Sequence, residues 1–394
     1  MENEKMKDKE PLLSIGVIGM GNCGGQMADL VCDKLSVDAF AINASEKDIN
    51  MLRAEEISVI MVGDGKGTGK NREEAADFLL NKINLVQDDS FKEFLDRNDV
   101  IFVVSSMGGG FGSGSCLIMT ELLTKLTEGN KAIIPVGVLP FDSEGYTAQS
   151  HAIEWLQELE KLDVPYIIYD NNIYGDIPKQ QAHQKINFQF AKDICVIRGD
   201  YVYNTNSGGI DNRDMLTVVS IPGRIVIDTI LDLDESELVD RSIAKTLEQH
   251  LEKESAHAAM VDDKVIKASA LMYCFGPELS SYTGTLKEDI QSIFGPHLND
   301  YDNFSDVNGP GSGTVSLILS GLTSPVLRIN RLISRRDKLE SEIAGKSAAV
   351  SRLSQTANSS KLKLNTKKFA SESTGQPKNT NDVLADFLSG RNKT

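Results

Sequence analysis

Positive charge is in short supply in this 394-residue chain. Lys and Arg number 41 against 57 Asp and Glu, a formal net charge of −16. So acidic a surface argues against a protein that coats nucleic acid with the whole molecule. Cysteine is scarce and scattered: Cys23, Cys32, Cys116, Cys195 and Cys274 are odd in number and lack Cys-x-x-Cys spacing. They read as small buried apolar residues in a reducing compartment, and no protein-only metal site is expected. No apolar run approaches the roughly 20 residues that cross a bilayer, and Met1–Glu10 is too charged for a signal peptide. The expected location is the cytoplasm, with no membrane partner.

What the chain does have is glycine, 32 residues of it, and the glycines cluster. Residues 107–115 read Met-Gly-Gly-Gly-Phe-Gly-Ser-Gly-Ser, directly after the strand-like run Val100–Val104 and before an apolar stretch, Cys116 to Leu126, that reads as a helix. Such a loop exposes a row of backbone N–H groups, and the helix dipole behind it favours negative charge, so the segment is a candidate phosphate cradle. A second cluster, Gly19-Met20-Gly21-Asn22-Cys23-Gly24, follows the first strand and satisfies G-x-G-x-x-G. Alone, that motif suggests a dinucleotide-binding fold and an NAD-dependent oxidoreductase, but the second strand then ends in Asn43 where an acid should hold a ribose. A third cluster, Gly63 to Arg72, is not a P-loop, because Asn71 stands where a Mg²⁺-binding Ser or Thr is needed.

The first half alternates strands (Leu12–Gly19, Ala39–Asn43, Ile57–Val62, Asp99–Val104, Ala132–Leu139, Tyr166–Tyr169) with helices (Gly24–Leu35, Glu73–Val86, Cys116–Leu126, Tyr146–Leu162). The pattern predicts an α/β fold with a parallel sheet covered on both faces. Residues 186–230 read as mixed helix and loop, and Glu235–Glu252 as a polar helix with capping-box spacing at Asp234 and Glu237. A second α/β unit follows in strand Ala268–Phe275, helix Leu286–Phe294 and strand Gly313–Leu319, then a long helix from Pro325 towards Ile343. The expected division is a charged extension over 1–11, a nucleotide domain over 12–185, a central helix and catalytic loop over 186–234, a smaller α/β domain over 235–324, a helix over 325–345 and a flexible basic tail over 346–394.

Gly108-Gly109-Gly110-Phe111-Gly112-Ser113-Gly114 resembles the signature of the tubulin/FtsZ superfamily, with Phe111 where that family usually has threonine. The resemblance implies an N-terminal Rossmann-like GTPase domain that binds GTP or GDP with Mg²⁺. It places Gly21, Asn22 and Cys23 at the first phosphate loop, Gln26 near the base and Asn43 at the second strand's end. Gly67, Thr68, Gly69 and Lys70 then cover the γ-phosphate, where Lys66, Lys70 and Arg72 could add charge-assisted bonds. Residues 108–113 cradle phosphate, and Glu144, in the Pro140–Gly145 turn, accepts the ribose hydroxyls. Asn171 faces guanine, whose edge an amide matches with both a donor and an acceptor. Phe188 and Phe190 compete to stack on the base, and Phe190 is assigned to the site.

Family members complete the site with acids from the next subunit in a head-to-tail homopolymer, in the pattern Asn/Asp-x-Asp-x-x-Asp/Glu at a helix start. Asp232, Asp234 and Glu237 fit that pattern, with Asp228 as the competing register; simple capping is the alternative role. The interval from Asn171 to Asp234 is longer than in the family. Ser320–Pro325 and the long helix after it resemble the plasmid- and phage-borne TubZ branch, which implies a filament-forming GTPase that positions plasmid or phage DNA. From Ser351 onward, eight Lys or Arg face three Asp or Glu, a net of +5 on an acidic protein. The tail ends in an apolar cluster, Asn381 to Leu388, that reads either as a docking peptide or as an accident of composition. Its expected partner is DNA or a DNA-bound adaptor. A nucleotide-binding scaffold without hydrolysis remains the other alternative.

Overall fold

The structure, a computed structural model, describes residues 11–201, 209–258, 266–306 and 313–353. The N-terminal half runs β1 (Ile15–Met20), α1 (Gly21–Leu35), β2 (Asp38–Asn43), α2 (Glu46–Ile49), β3 (Ser58–Met61), α3 (Arg72–Asn81), α4 (Asp89–Arg97), β4 (Val100–Ser106), α5 (Phe111–Leu126), β5 (Ala132–Leu139), α6 (Tyr146–Leu159) and β6 (Pro165–Asp170). It continues with α7 (Lys179–Arg198), α8 (Asn212–Ser220), β7 (Gly223–Leu233), α9 (Ile243–Lys253), β8 (Ile266–Phe275), α10 (Pro277–Ser280), α11 (Leu286–Phe294), β9 (His297–Asp306), β10 (Gly313–Leu322) and α12 (Val326–Leu353).

Strand side chains alternate between faces, so a strand apolar at every position has to be covered on both. In β1, Ile15 and Val17 enter one core with α1, α7 and α8, while Ile18 and Met20 enter the other with α3, α5, α6 and α12. The result is an α/β sheet between two helical layers. Among the described residues the strand order is β3-β2-β1-β4-β5-β6-β7-β10-β8-β9. Strands β1 to β6 pair in parallel, whereas β10 is antiparallel to both β7 and β8. A third core joins α9 and α11 to β7, β8 and β10.

Several expectations are corrected. The stretch read as mixed helix and loop over 186–230 takes in the second half of a twenty-residue helix, α7, which begins at Lys179, and most of an unforeseen eleven-residue strand, β7. Polar residues on α7's exposed side diluted its apolar pattern. The polar helix expected over 235–252 is a three-residue 3₁₀ turn, Glu235–Glu237, a second turn over Val239–Arg241, and only then α9. The helix expected over 73–86 ends at Asn81, and α4 was not foreseen. Helix α12 runs on to Leu353, past the expected start of the tail at 346. Residues 1–10 and 354–394, hence most of the extension and tail including Lys361, Phe387 and Leu388, lie outside the described residues.

Helix α12 also fixes the rim of the sheet. Its buried Arg328 donates from Nε to Asp170 at 2.5 Å and from Nη2 to the Pro140 carbonyl at 3.0 Å. Arg331 pairs with Asp142, and Arg335 Nε donates to the Asp142 carbonyl at 2.8 Å. The turns after β5 and β6, which carry Glu144 and Asn171, are thereby anchored.

Candidate functional site

At the carboxyl edge of the parallel strands lies a cavity of about 500 Å³, within the range of small-molecule sites. Its walls bring together Gly21, Asn22, Cys23, Gln26, Asn43, Gly67, Thr68, Gly69, Lys70, Gly108, Gly109, Gly110, Phe111, Gly112, Glu144 and Asn171. Ser45, Asp48, Lys66, Ser106, His183, Ile186 and Asn187, none of which the sequence reading placed at the base, ribose or phosphate positions except Lys66, also line it.

The phosphate-like end is built from backbone. Helix α5 begins at Phe111, five residues earlier than its apolar run suggested, so Gly112, Ser113 and Gly114 form its first turn. Glycine is required there: a Cβ on Gly112 would sit 2.4 Å from the Met20 carbonyl oxygen, and one on Gly110 would sit 2.5 Å from Thr68 Oγ1. Both phosphate-loop candidates and the 63–71 loop therefore close on one another. Helices α1 and α5 have no side-chain cap and no acid in their first turns. Their first N–H groups lack intrahelical partners, and the dipoles add positive potential.

The other end is built from amides and rings. Asn171 donates from Nδ2 to the Leu139 carbonyl at 2.9 Å, and its buried Oδ1 has no hydrogen-bond partner. His183 and Asn187, four residues apart on α7, share one helix face. The His183 ring packs 5.8 Å from Phe141, and burial holds its pKa below the usual histidine value. Glu144 accepts from the Phe141 N–H at 3.1 Å. Burial, and then the Glu144 charge, push the Cys23 thiol up to about 12, so it is not a nucleophile. Among the described residues no group of three or more His, Cys, Asp or Glu could hold a metal alone. A Mg²⁺ ion fits only as a companion of bound phosphates, with the Asp48 carboxylate in the wall, because this ion keeps waters and needs few protein ligands.

Two assigned ligand residues lie elsewhere. Phe190 is 0% exposed and packs edge-on against Phe102 and Tyr169 in the core, and Phe188 is 61% exposed; neither lines the cavity. The i+4 relation of His183 to Asn187, counted from the unforeseen start of α7, was the missing signal. Ser113 is buried behind the cavity wall, where its carbonyl accepts from Arg72 Nη2 at 3.0 Å. Arg72 is spent on Glu154 and Glu158, at 2.7 and 2.6 Å, rather than on the cavity.

None of Asp228, Asp232, Asp234 and Glu237 lines the cavity. Asp228 is 1% exposed inside β7 and bonded to His250 Nδ1 at 2.8 Å, so its carboxylate does not reach the surface. Asp234 and Glu237 cap their own turn reciprocally: Ser236 N donates to Asp234 at 2.8 Å and Asp234 N donates to Glu237 at 3.0 Å. The Ser236 hydroxyl, which donates to Asp234 at 2.6 Å, and then the Ser236 backbone N–H hold the Asp234 carboxyl below its usual pKa. The exposed turn follows β7, which starts beside the start of β6 and runs parallel to it. It therefore sits towards the same edge as the cavity.

A second acid pair sits at the opposite edge. Helix α7 lines the cavity near its start, and its twenty residues span about 30 Å. It ends where the Arg198 carbonyl accepts from Leu12 N, beside the beginning of β1. The chain returns to that edge at Gly223, where β7 begins. Between these anchors, Asp211 and Asp214 open α8 as a capping box. Their Asp-x-x-Asp spacing sits at a true helix start. The long interval from Asn171 to Asp234 was the clue to them.

Residues 14–177 match the Tubulin/FtsZ family, GTPase domain. Over 221 residues the chain is 25% identical to the tubulin-like protein CetZ of Pyrococcus abyssi, covering 54% of this chain and 55% of that protein. The chain spans about half the length of that relative. In fold it is similar to TubZ of Clostridium botulinum phage c-st, with a TM-score of 0.66, 18% identity and coverage of 85% of this chain and 100% of that one. It is likewise similar to a GTPγS-form protofilament of TubZ from Bacillus thuringiensis serovar israelensis, with a TM-score of 0.66, 16% identity and coverage of 89% and 96%. Glycine spacing at 19–24 left two nucleotide-binding families open, and over residues 14–177 the match is to the Tubulin/FtsZ family, GTPase domain.

Proposed function

We propose that the protein binds GTP in this cavity and hydrolyses it when a second copy docks head to tail, so that assembly and turnover are coupled. The observation that carries the reading is the pairing of two bare helix N-termini with the glycine loop at one end of the cavity. A triphosphate supplies the negative charge that this end lacks, and Lys66 and Lys70 in the wall add charge-assisted bonds. At the other end, the unpartnered Asn171 Oδ1 accepts from the guanine edge, Asn187 offers a second amide, and His183 covers the ring. Glu144 takes the ribose hydroxyls. Mg²⁺ would neutralise phosphate charge when it enters with the nucleotide.

Among the described residues, none of the candidate catalytic acids of the same chain lines the cavity. Asp211 and Asp214, on a segment anchored at the opposite edge, are placed to reach a neighbour's cavity in a head-to-tail stack, where they orient water beside the terminal phosphate. Asp234 and Glu237, the pair favoured from spacing, face the wrong edge for this role. The direct test is pelleting or light scattering with phosphate release, with and without GTP. Nucleotide-dependent assembly with turnover is expected. Binding without phosphate release would leave a scaffold, and a co-purified NAD would end the reading.

The tail supports a finer proposal. Its net +5 on a chain of −16 favours recruitment of DNA or a DNA-bound adaptor, hence movement or positioning of plasmid or phage DNA. Deleting 351–394 should spare turnover and assembly and abolish cargo binding in pull-downs; unchanged cargo binding refutes it.

A further inference from the structure

The glycine loop is held from behind by side chains that do not line the cavity. On α6, His151, Glu154 and Glu158 fall at i, i+3 and i+7 and therefore share one face. His151 Nδ1 lies 2.7 Å from the Gly109 carbonyl oxygen. A carbonyl oxygen only accepts, so Nδ1 carries the proton and donates. Glu154 and Glu158 hold the Arg72 guanidinium, whose Nη2 donates to the Ser113 carbonyl at 3.0 Å. One helix face thus grips the loop at both ends.

This matters because a peptide unit is planar and trans, with its C=O and N–H pointing in opposite directions, and the described residues contain no cis peptide. Tying the Gly109 carbonyl outward turns the Gly110 N–H inward, towards the phosphate end of the cavity. Glycine cannot hold that orientation unaided, since it gives its peptide more freedom than any other residue.

We propose that His151 is a positioning residue for the phosphate end of the site: its hydrogen bond to the Gly109 carbonyl aims the Gly110 N–H at bound phosphate, with α6 acting as the loop's outer clamp. The inference rests on the reading of the cavity as a GTP site. Burial keeps the ring mostly neutral, with Glu154 on its own helix, Arg72 from α3 and Lys70 from the 63–71 loop as the charged groups around it. Protonation would leave the Nδ1–H in place, so the aim survives mild acid.

The test compares affinities of the full chain for GTPγS and for guanosine, which has no phosphate to meet the loop. His151→Ala should weaken GTPγS binding about five- to tenfold, the value of one lost hydrogen bond, and leave guanosine binding unchanged. His151→Asn, whose Nδ2 can donate from a similar position, should restore most of the loss. If the alanine variant does not fold, His151→Leu keeps the volume without the donor and decides in the same way. Wild-type GTPγS affinity in the donor-less variant overturns the inference alone, as does an equal loss for guanosine or no rescue by asparagine. A wild-type chain that binds no GTPγS overturns the underlying reading and this inference with it.

Discussion

Helices α1 and α5 begin bare, whereas α3, α8 and α9 begin capped by Asn71, Asp211 and Ser242. All five leave the same unsatisfied N–H groups at their starts. The capped three satisfy part of that need with their own side chains. Helices α6 and α7 also begin without a side-chain cap or an early acid, but α1 and α5 open on the cavity through glycines, where a cap would crowd an incoming ligand. What suits the starts of α1 and α5 to an anion is the conjunction of free N–H groups, glycine and the cavity, and not the missing cap alone. The two acid pairs repeat the contrast at larger scale, since one faces the cavity edge and the other the opposite edge.

The comparison breaks most severely at Gly112. Gly112→Ala puts a Cβ 2.4 Å from the Met20 carbonyl, a backbone atom that cannot swing aside. Overpacking of this kind costs about 1–3 kcal/mol, and it distorts both bare helix starts together. GTPγS affinity should fall at least about a hundredfold by calorimetry, and wild-type binding would contradict the close-approach argument.

The acid pairs come next. Asp211→Asn and Asp214→Asn remove the charges while Asn can still serve as a cap. Each should slow phosphate release by about a hundredfold without altering GTPγS affinity of the monomer. Asp234→Asn and Glu237→Gln should stay within about twofold of wild type. The reverse pattern would return catalysis to the 232–237 cluster.

A smaller effect has opposite signs in two assays. Asn22→Asp adds an acid to the bare first turn of α1, which should stabilise the empty protein by about 0.3–1 kcal/mol and weaken GTPγS binding by about tenfold. Asn71→Ala, which removes the α3 cap, should cost about 1 kcal/mol of stability and leave affinity alone. Equal behaviour of the two variants in both assays would erase the distinction between bare and capped starts.

The smallest effect concerns pH. Burial holds His151 and His183 below the usual value of 6.5. The unfolded chain therefore binds protons that the native chain refuses, so stability is complete above 6.5 and declines as pH falls from there through the native values. Bound GTPγS sets its anionic phosphates against the loop that His151 holds, which should shrink that residue's part of the decline. Thermal melts at pH 7.5 and 5.5, with and without ligand, measure it, and a larger decline with ligand would contradict the placement.

Much of this was readable from residues in order. The run Ala132–Leu139 announced a strand buried on both faces, and the three glycine clusters announced where strands give way to phosphate-sized turns, because strand burial and glycine tolerance are local properties. Phe190 shows the limit: an aromatic in the right stretch points into the core or the cavity according to the phase of its helix, and the start of α7 was not visible. Asp234 shows it again. Asp-x-x-acid spacing marks a turn that closes on itself as well as one that serves a neighbour, and which edge of the sheet it occupies depends on how β7 pairs with β6. By itself the sequence determined the alternating α/β architecture, the glycine loops and the charge contrast of the tail. Only the tertiary structure decided that α7 carries the chain from the cavity to the far edge, that Asp211 and Asp214 rather than Asp234 and Glu237 stand there, and that α6 grips the glycine loop from behind. Each of those facts depends on contacts between residues distant in sequence, which local pattern does not encode.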